Sequence, residues 1–107
     1  MTEKPYEVLG RYAQRTGFRI SELRIGKNQE VPWHYHTKAS DTFYVLEGKI
    51  RISAQRPNEE VLLAPGEVFQ IQPERPHRVT NAGQEPAVFL LLQGVGEYDL
   101  VPVKSDH

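Results

Sequence analysis

Short runs of β-branched, aromatic and aliphatic residues recur from about residue 18 onward, each bounded by residues that favour turns. This spacing is typical of an all-β sandwich or barrel. Tight turns are predicted at Glu47-Gly48 and Pro65-Gly66, with hairpin loops at residues 56–58 and 81–83. Because these connections are short, neighbouring strands should be antiparallel. The predicted strands cover residues 18–25, 31–36, 42–46, 49–54, 60–64, 68–72, 77–80 and 87–92.

The segment that precedes these strands, residues 6–16, is ambiguous. Its apolar side chains at Val8, Leu9 and Tyr12 would share one face of a helix, whereas Gly10 disfavours a helix. Either a strand or one helical turn fits this pattern. No internal repeat or linker divides the chain, and the tail after Gly96 is polar. The sequence therefore predicts a single domain over residues 1–107, with a barrel core at about 18–93.

The charge balance and the absence of cysteine narrow the classes of function. Lys and Arg number 13 against 14 Asp and Glu, scattered through the chain, so it lacks the basic face that nucleic-acid binding generally requires. No segment is apolar for long enough to span a bilayer, and the N-terminus lacks the apolar run of a secretory signal. We therefore expect a soluble, cytoplasmic protein without a nucleic-acid or membrane partner. Because the chain contains no cysteine, any metal ion would have to be held by nitrogen and oxygen atoms.

The triplet His34-Tyr35-His36 is the most informative part of the sequence. Alternate residues of a strand point to the same face, so the two imidazoles would lie side by side and offer two metal ligands. An isolated pair of this kind is more often two surface histidines on an edge strand. The last histidine, His107, is the C-terminal residue, which is predicted to belong to a disordered terminus.

The spacing around this triplet resembles the first motif of the cupin superfamily, written G-x5-H-x-H-x3-4-E-x6-G. His34 and His36 match the paired histidines, Asp41 occupies the glutamate position, and Gly48 matches the closing glycine. The opening glycine is displaced to Gly26.

The second cupin motif, G-x5-P-x-G-x2-H-x3-N, is matched at Gly66, His77 and Asn81. Its proline position holds Gln72, and its inner glycine position holds Glu74. The resemblance implies a jelly-roll β-barrel of the cupin type, and it implies that His77 enters the interior opposite His34 and His36.

By this resemblance, one divalent transition-metal ion would be held by His34, His36, His77 and Asp41. Zinc, iron, manganese, nickel, cobalt and copper all accept imidazole, so the ion is left open. Aspartate is one methylene shorter than the family's glutamate, which leaves three roles for Asp41. It would bind the ion directly, act through a bound water, or cap the turn that it forms with Ser40.

Strand alternation predicts which side chains face the interior. If the two histidines of the triplet point inward, Trp33 and Tyr35 point outward, and an inward Asp41 would leave Tyr44 and Leu46 outside. We expect these four outer side chains to form one apolar patch that is covered in a homodimer, or else by the N-terminal segment.

The interior would be lined by Phe43, Val45 and Val79, with Gln70 or Gln72 as polar groups. An apolar cavity beside a metal ion suits a small organic ligand. The leading hypothesis is a metal-dependent enzyme acting on a small molecule, of dioxygenase, isomerase or lyase type, with no catalytic residue identified beyond the metal ligands. The alternatives are a non-catalytic binding or sensing module and a metal-free structural barrel.

Overall fold

Alternation of apolar and polar residues gives most of the strands one buried face, as the sequence predicts. The computed structural model describes residues 6–15, 18–94 and 100–103. His107 and most of the tail after Gly96 lie outside these residues. The strands are β1 (Glu7–Arg15), β2 (Phe18–Ile25), β3 (Glu30–Tyr35), β4 (Ser40–Glu47), β5 (Ile50–Ala54), β6 (Glu59–Leu63), β7 (Val68–Ile71), β8 (His77–Asn81), β9 (Ala87–Gly94) and β10 (Val101–Pro102).

The strands form two antiparallel sheets of five. The first sheet has the order β1-β2-β9-β4-β7, and the second has the order β10-β3-β8-β5-β6. Their inner faces share one core, whose fully buried side chains include Phe43, Phe89, Ile50 and Val79. This arrangement confirms the predicted all-β fold of the jelly-roll, cupin type. It also confirms that Phe43, Val45 and Val79 face inward.

The ambiguous N-terminal segment is a strand that pairs with β2 along the edge of the first sheet. Irregularities in the pairing fall between Val8 and Gly10 and between Arg11 and Ala13. Each irregularity shifts the alternation by one residue, which explains why the sequence shows no clean two-residue period here.

Both glycines predicted in tight turns have the left-handed backbone that those turns require. Gly48 has a φ of 72° and Gly66 a φ of 87°. The first of these also packs closely, because a Cβ atom at Gly48 would lie 2.8 Å from the carbonyl oxygen of Pro86 and 2.9 Å from Cα of Ala87. Gly48 therefore allows the β4–β5 turn to approach the start of β9.

The motif asparagine, Asn81, has a structural role at the end of β8. Its side-chain amide donates to the carbonyl oxygens of Ile25 and Glu85, and its Oδ1 accepts a hydrogen bond from the amide of Gly83. These three bonds fasten the β8–β9 loop to the end of β2.

The prediction of a single outer apolar patch is wrong. Trp33 and Tyr35 belong to β3 in the second sheet, whereas Tyr44 and Leu46 belong to β4 in the first. In a jelly roll these consecutive strands lie in different sheets, so their outward side chains point to opposite sides of the molecule. Trp33 is half-buried, with the guanidinium of Arg78 5.6 Å from the centre of its ring.

Candidate metal centre

Four buried side chains from both sheets meet between them. His34 on β3 pairs with His77 at the start of β8 in the second sheet, and His36 follows directly after β3. Asp41 comes from β4 of the first sheet. All four residues are at least 95% buried. The structure therefore brings together every residue that the sequence singled out as a metal ligand.

The potential ligand atoms of these residues all lie within 4.8 Å of one another. Oδ2 of Asp41 lies 2.9 Å from Nε2 of His36 and 3.0 Å from Nε2 of His77, and 3.9 Å from Nε2 of His34. One carboxylate oxygen thus faces all three imidazoles. A group of this composition could hold a metal ion, since imidazole nitrogen and carboxylate oxygen are common ligands of divalent transition metals.

Backbone carbonyls fix the orientation of two of the rings. Nδ1 of His34 lies 2.7 Å from the carbonyl oxygen of Pro32, and Nδ1 of His77 lies 2.9 Å from that of Arg75. A carbonyl oxygen only accepts hydrogen bonds, so each Nδ1 carries the hydrogen and donates it. In a neutral ring, Nε2 then presents a lone pair towards the Asp41 carboxylate, which also only accepts. Lone pairs that converge on an anion in a buried site are stabilised by a cation among them.

The surroundings of Asp41 keep it ionised. Burial is the largest influence and raises its pKa, but the hydrogen bonds that His34, His36 and His77 donate when Nε2 carries a proton in place of a metal ion together outweigh burial and hold the pKa well below its ordinary value. The site thus combines a buried carboxylate anion with three nitrogen ligands.

A second layer of polar side chains supports the carboxylate from the first sheet. Nε2 of Gln93 on β9 donates to Oδ1 of Asp41 at 3.1 Å, and Nε of Arg19 on β2 donates to Oε1 of Gln93 at 2.9 Å. The sequence analysis missed both residues. The one signal for Gln93 was its position as the polar residue that ends the apolar run of β9.

The prediction that Gln70 or Gln72 lines the interior is wrong. Gln70 and Gln72 are both exposed, and Gln70 donates to Thr42 while Gln72 donates to Gln70. In the first sheet, Gln70 pairs with Thr42 on the outer face, so its side chain points away from the core.

The structure also decides against one of the three roles left open for Asp41. Its carboxylate is buried and faces the histidines, so it does not cap a turn with Ser40. The hydroxyl of Ser40 donates instead to the carbonyl oxygen of Gly94.

At the inner glycine position of the second motif, Glu74 has a φ of 66°, and its amide donates to the carbonyl oxygen of His36. The left-handed region explains why glycine is favoured there.

The comparison with protein families agrees with this geometry. Residues 21–93 match the family described as the cupin domain, which is more than half of the chain. The protein therefore belongs to the cupin domain family.

Several known proteins are similar to this chain in sequence or in structure. Over 64 residues the chain is 39% identical to a glucose-6-phosphate isomerase from Thermococcus gammatolerans, a match that covers 55% of this chain and 34% of that protein. The chain thus spans about a third of the length of such relatives. A protein with a double-stranded β-helix domain from Klebsiella pneumoniae is similar in structure, with a TM-score of 0.76 and 19% identity over 94% of this chain and 84% of that chain.

A third similar protein is oxalate decarboxylase from Bacillus subtilis, an enzyme with Mn(II) centres. Its TM-score is 0.74 and its identity 21%, over 82% of this chain and 24% of that chain. At such low identities these structures establish the fold alone.

Within the described residues, we find no helix with the length and apolar character needed to cross a membrane. The cytoplasmic location stays a prediction.

Proposed function

We propose that the protein is a metal-dependent cupin enzyme that acts on a small organic molecule. Its ligands for one divalent transition-metal ion are His34, His36, His77 and Asp41. The observation that carries this proposal is the fixed orientation of His34 and His77, whose Nδ1 atoms are held by backbone carbonyls while their Nε2 atoms face one carboxylate oxygen. Such second contacts are typical of metal-binding histidines.

The residues of this chain have distinct tasks in the proposed centre. The carbonyls of Pro32 and Arg75 hold two rings in the ligating tautomer, and Gln93 holds the Asp41 carboxylate by its other oxygen. When bound, an ion of this kind would polarise a substrate oxygen or activate water or dioxygen. The core strands exclude bulk water, which strengthens every electrostatic interaction at the centre.

Two of the similar proteins support an enzyme rather than a structural barrel. One is named as a glucose-6-phosphate isomerase, and the other is an oxalate decarboxylase with Mn(II) centres. We therefore propose that the metal-loaded protein be assayed first against glucose 6-phosphate and oxalate, by product formation. Turnover of either, abolished by chelation and restored by the metal, would support the enzyme assignment.

Metal content tests the centre directly. Protein purified from metal-supplemented medium should carry close to one divalent ion per chain by elemental analysis. His34→Ala and His77→Ala should each lose most of it. His107→Ala is the matched control, because His107 is the fourth histidine and matches neither motif. A wild-type protein that contains no metal after reconstitution would overturn the proposal.

We further propose that the protein is a homodimer that associates through the outer face of the first sheet. Across this face Leu90, Tyr44 and Val68 lie in register on β9, β4 and β7, and Leu46 lies two positions after Tyr44 on β4. Tyr44, Leu46 and Val68 are all exposed. Two copies of such a face can bury one another about a twofold axis.

A further inference from the structure

Three polar side chains form one row across the inner face of the first sheet. Arg19 on β2 pairs with Gln93 on β9, and Gln93 pairs with Asp41 on β4. Gln93 and Asp41 are buried, whereas Arg19 is half-buried. The row therefore leads from a cation on β2 to the buried carboxylate of the candidate metal centre.

The hydrogen bonds in this row all run in one direction. Nε of Arg19 donates to Oε1 of Gln93 at 2.9 Å, and Nε2 of Gln93 donates to Oδ1 of Asp41 at 3.1 Å. A guanidinium group only donates and an ionised carboxylate only accepts, whereas a side-chain amide does both. One orientation of the Gln93 amide thus satisfies both neighbours. The reversed amide would place its NH₂ group against the guanidinium and its oxygen against the carboxylate.

The orientation of this amide determines which carboxylate oxygen faces the histidines. The terminal torsion of an aspartate is broad, so the side chain does not fix the position of its own oxygens. The bond from Gln93 holds Oδ1 of Asp41, and Oδ2 is then left 2.9 Å from Nε2 of His36 and 3.0 Å from Nε2 of His77. Nε2 of Gln93 also lies 3.4 Å from Nε2 of His36. The amide therefore lies directly against the centre.

We propose that Arg19 is a positioning residue of the metal centre. It holds the Gln93 amide in the orientation that directs Oδ2 of Asp41 towards the histidines, and it acts on the centre through Gln93. This inference rests on the proposed function, because it assigns a residue on β2 to the control of that centre's metal affinity. Contacts that orient a ligating carboxylate commonly change metal affinity.

Metal affinity, measured by competition with a chelator, is the first test. Arg19→Met keeps a long side chain and removes the donor, so it should weaken metal binding by about 3- to 10-fold, the usual net effect of one hydrogen bond. Arg19→Lys should recover part of this loss, because it keeps a cationic donor. Arg24→Met is the matched control on β2, since Arg24 contacts Glu7 instead, and it should bind metal as the wild type does.

A double-mutant cycle then shows whether Arg19 acts through the amide. In a protein that already carries Gln93→Leu, Arg19→Met should change metal affinity by less than about 2-fold, because the amide that it positions is absent. Arg19 also has a contact outside this row. An effect through that contact would be the same in both backgrounds, so the difference between the backgrounds measures the positioning role alone.

The visible spectrum of cobalt-loaded protein is a readout that a merely structural role would not change. The absorption bands of Co(II) depend on the arrangement of its ligands. We expect Arg19→Met and Gln93→Leu to shift these bands and Arg24→Met to leave them in place. Circular dichroism shows that each variant is folded.

The metal content of the wild type separates this inference from the proposed function. A wild type without metal would reject the metal centre, and the role of Arg19 with it. A wild type that holds its metal, together with an Arg19→Met variant of unchanged affinity and spectrum, would overturn the role of Arg19 alone. An equal loss of affinity from Arg19→Met in both backgrounds would overturn it too, because Arg19 would then act without Gln93.

Discussion

Nε2 of His77 lies 3.0 Å from Oδ2 of Asp41, although the residues are 36 positions apart and belong to different sheets. The contact depends on both sheets packing in their observed register. It therefore couples the candidate metal centre to the stability of the jelly roll. A change at this carboxylate should be measurable in unfolding as well as in metal binding.

The ionisation of Asp41 should make the metal-free protein lose stability in acid. Its pKa is held well below the ordinary value in the folded state, so its stabilising contribution is fully present above the unfolded pKa of about 3.9. This contribution is lost as pH falls through the folded pKa, at up to about 1.4 kcal/mol per pH unit. Urea unfolding of metal-free protein between about pH 6 and 2.5 measures the effect.

Comparison with Asp41→Asn isolates this carboxylate from the other acidic residues, which titrate in both proteins. The free energy of unfolding should fall less steeply below about pH 4 in Asp41→Asn than in the wild type. Identical slopes for the two proteins would show that the Asp41 carboxylate is not stabilised by the histidines.

The substitution Gly48→Ala should destabilise the protein by about 2 kcal/mol or more. A left-handed backbone costs an alanine about 1–2 kcal/mol, and the new Cβ would also collide with the backbone of Pro86 and Ala87. Gly66→Ala is the matched control, because Gly66 also has a positive φ but no atom lies within 4 Å of its added Cβ. Equal losses in urea unfolding would show that the close approach at Gly48 contributes nothing.

The substitution Glu74→Gly should be neutral or stabilising, by up to about 1 kcal/mol. Relief of the left-handed backbone strain at Glu74 favours glycine, and the greater flexibility of the unfolded chain offsets part of the gain. Glu74→Ala keeps the strain while removing the carboxylate, so it should show no such gain. A loss of stability in both variants would mean that the Glu74 side chain itself supports the loop, and a loss in the glycine variant alone would contradict the expected relief of strain.

Local features of the fold were predictable from the sequence, whereas contacts between distant strands were not. β2 begins and ends where the run at 18–25 predicts, because its pattern is set by residues within the strand itself. Arg19 and Gln93 are 74 positions apart and meet only through the order β2-β9-β4. No local pattern encodes that order, so the polar support of Asp41 was missed. Gln70 is a different case, because alternation with the buried Ile71 within β7 already directs it outward.

The outer patch was mispredicted for the same reason. Trp33 and Tyr44 lie on consecutive strands, and their alternation was read correctly. Their assignment to one face failed because the jelly roll sends β3 and β4 to different sheets. The placement of His34 and His36 on one face was predicted correctly, because both residues are on the same short segment.

Association should depend on the outer face of the first sheet. Tyr44→Glu places a charge in the apolar row of this face, where Tyr44 pairs with Leu90 and Val68, and burying that charge in an interface is costly. Light scattering after size exclusion should report a dimer for the wild type and a monomer for Tyr44→Glu. Leu62→Glu is the control, because Leu62 is exposed on β6 of the other sheet. A monomeric wild type at micromolar concentration would contradict the proposed dimer.

The last prediction concerns whether Asp41 binds the metal itself. Its Oδ2 is the carboxylate oxygen that faces all three Nε2 atoms, while Oδ1 accepts from Gln93. A direct ligand should matter more than its supporting partner, whose loss typically costs about 10- to 100-fold in metal affinity. Asp41→Asn should therefore weaken metal binding by more than about 100-fold in a competition with a chelator. Gln93→Leu should stay within the smaller range.

Asp41→Glu separates the effect of charge from that of side-chain length, because it restores the residue of the cupin motif and keeps the carboxylate. We expect it to retain metal, with the longer side chain accommodated by a small shift of the loop at residues 37–40. If Asp41→Asn loses no more affinity than Gln93→Leu, the carboxylate acts from outside the ligand set, through a bound water. If Asp41→Asn and Asp41→Ala both bind metal as tightly as the wild type, Asp41 has no part in the centre, and His34, His36 and His77 hold the ion alone.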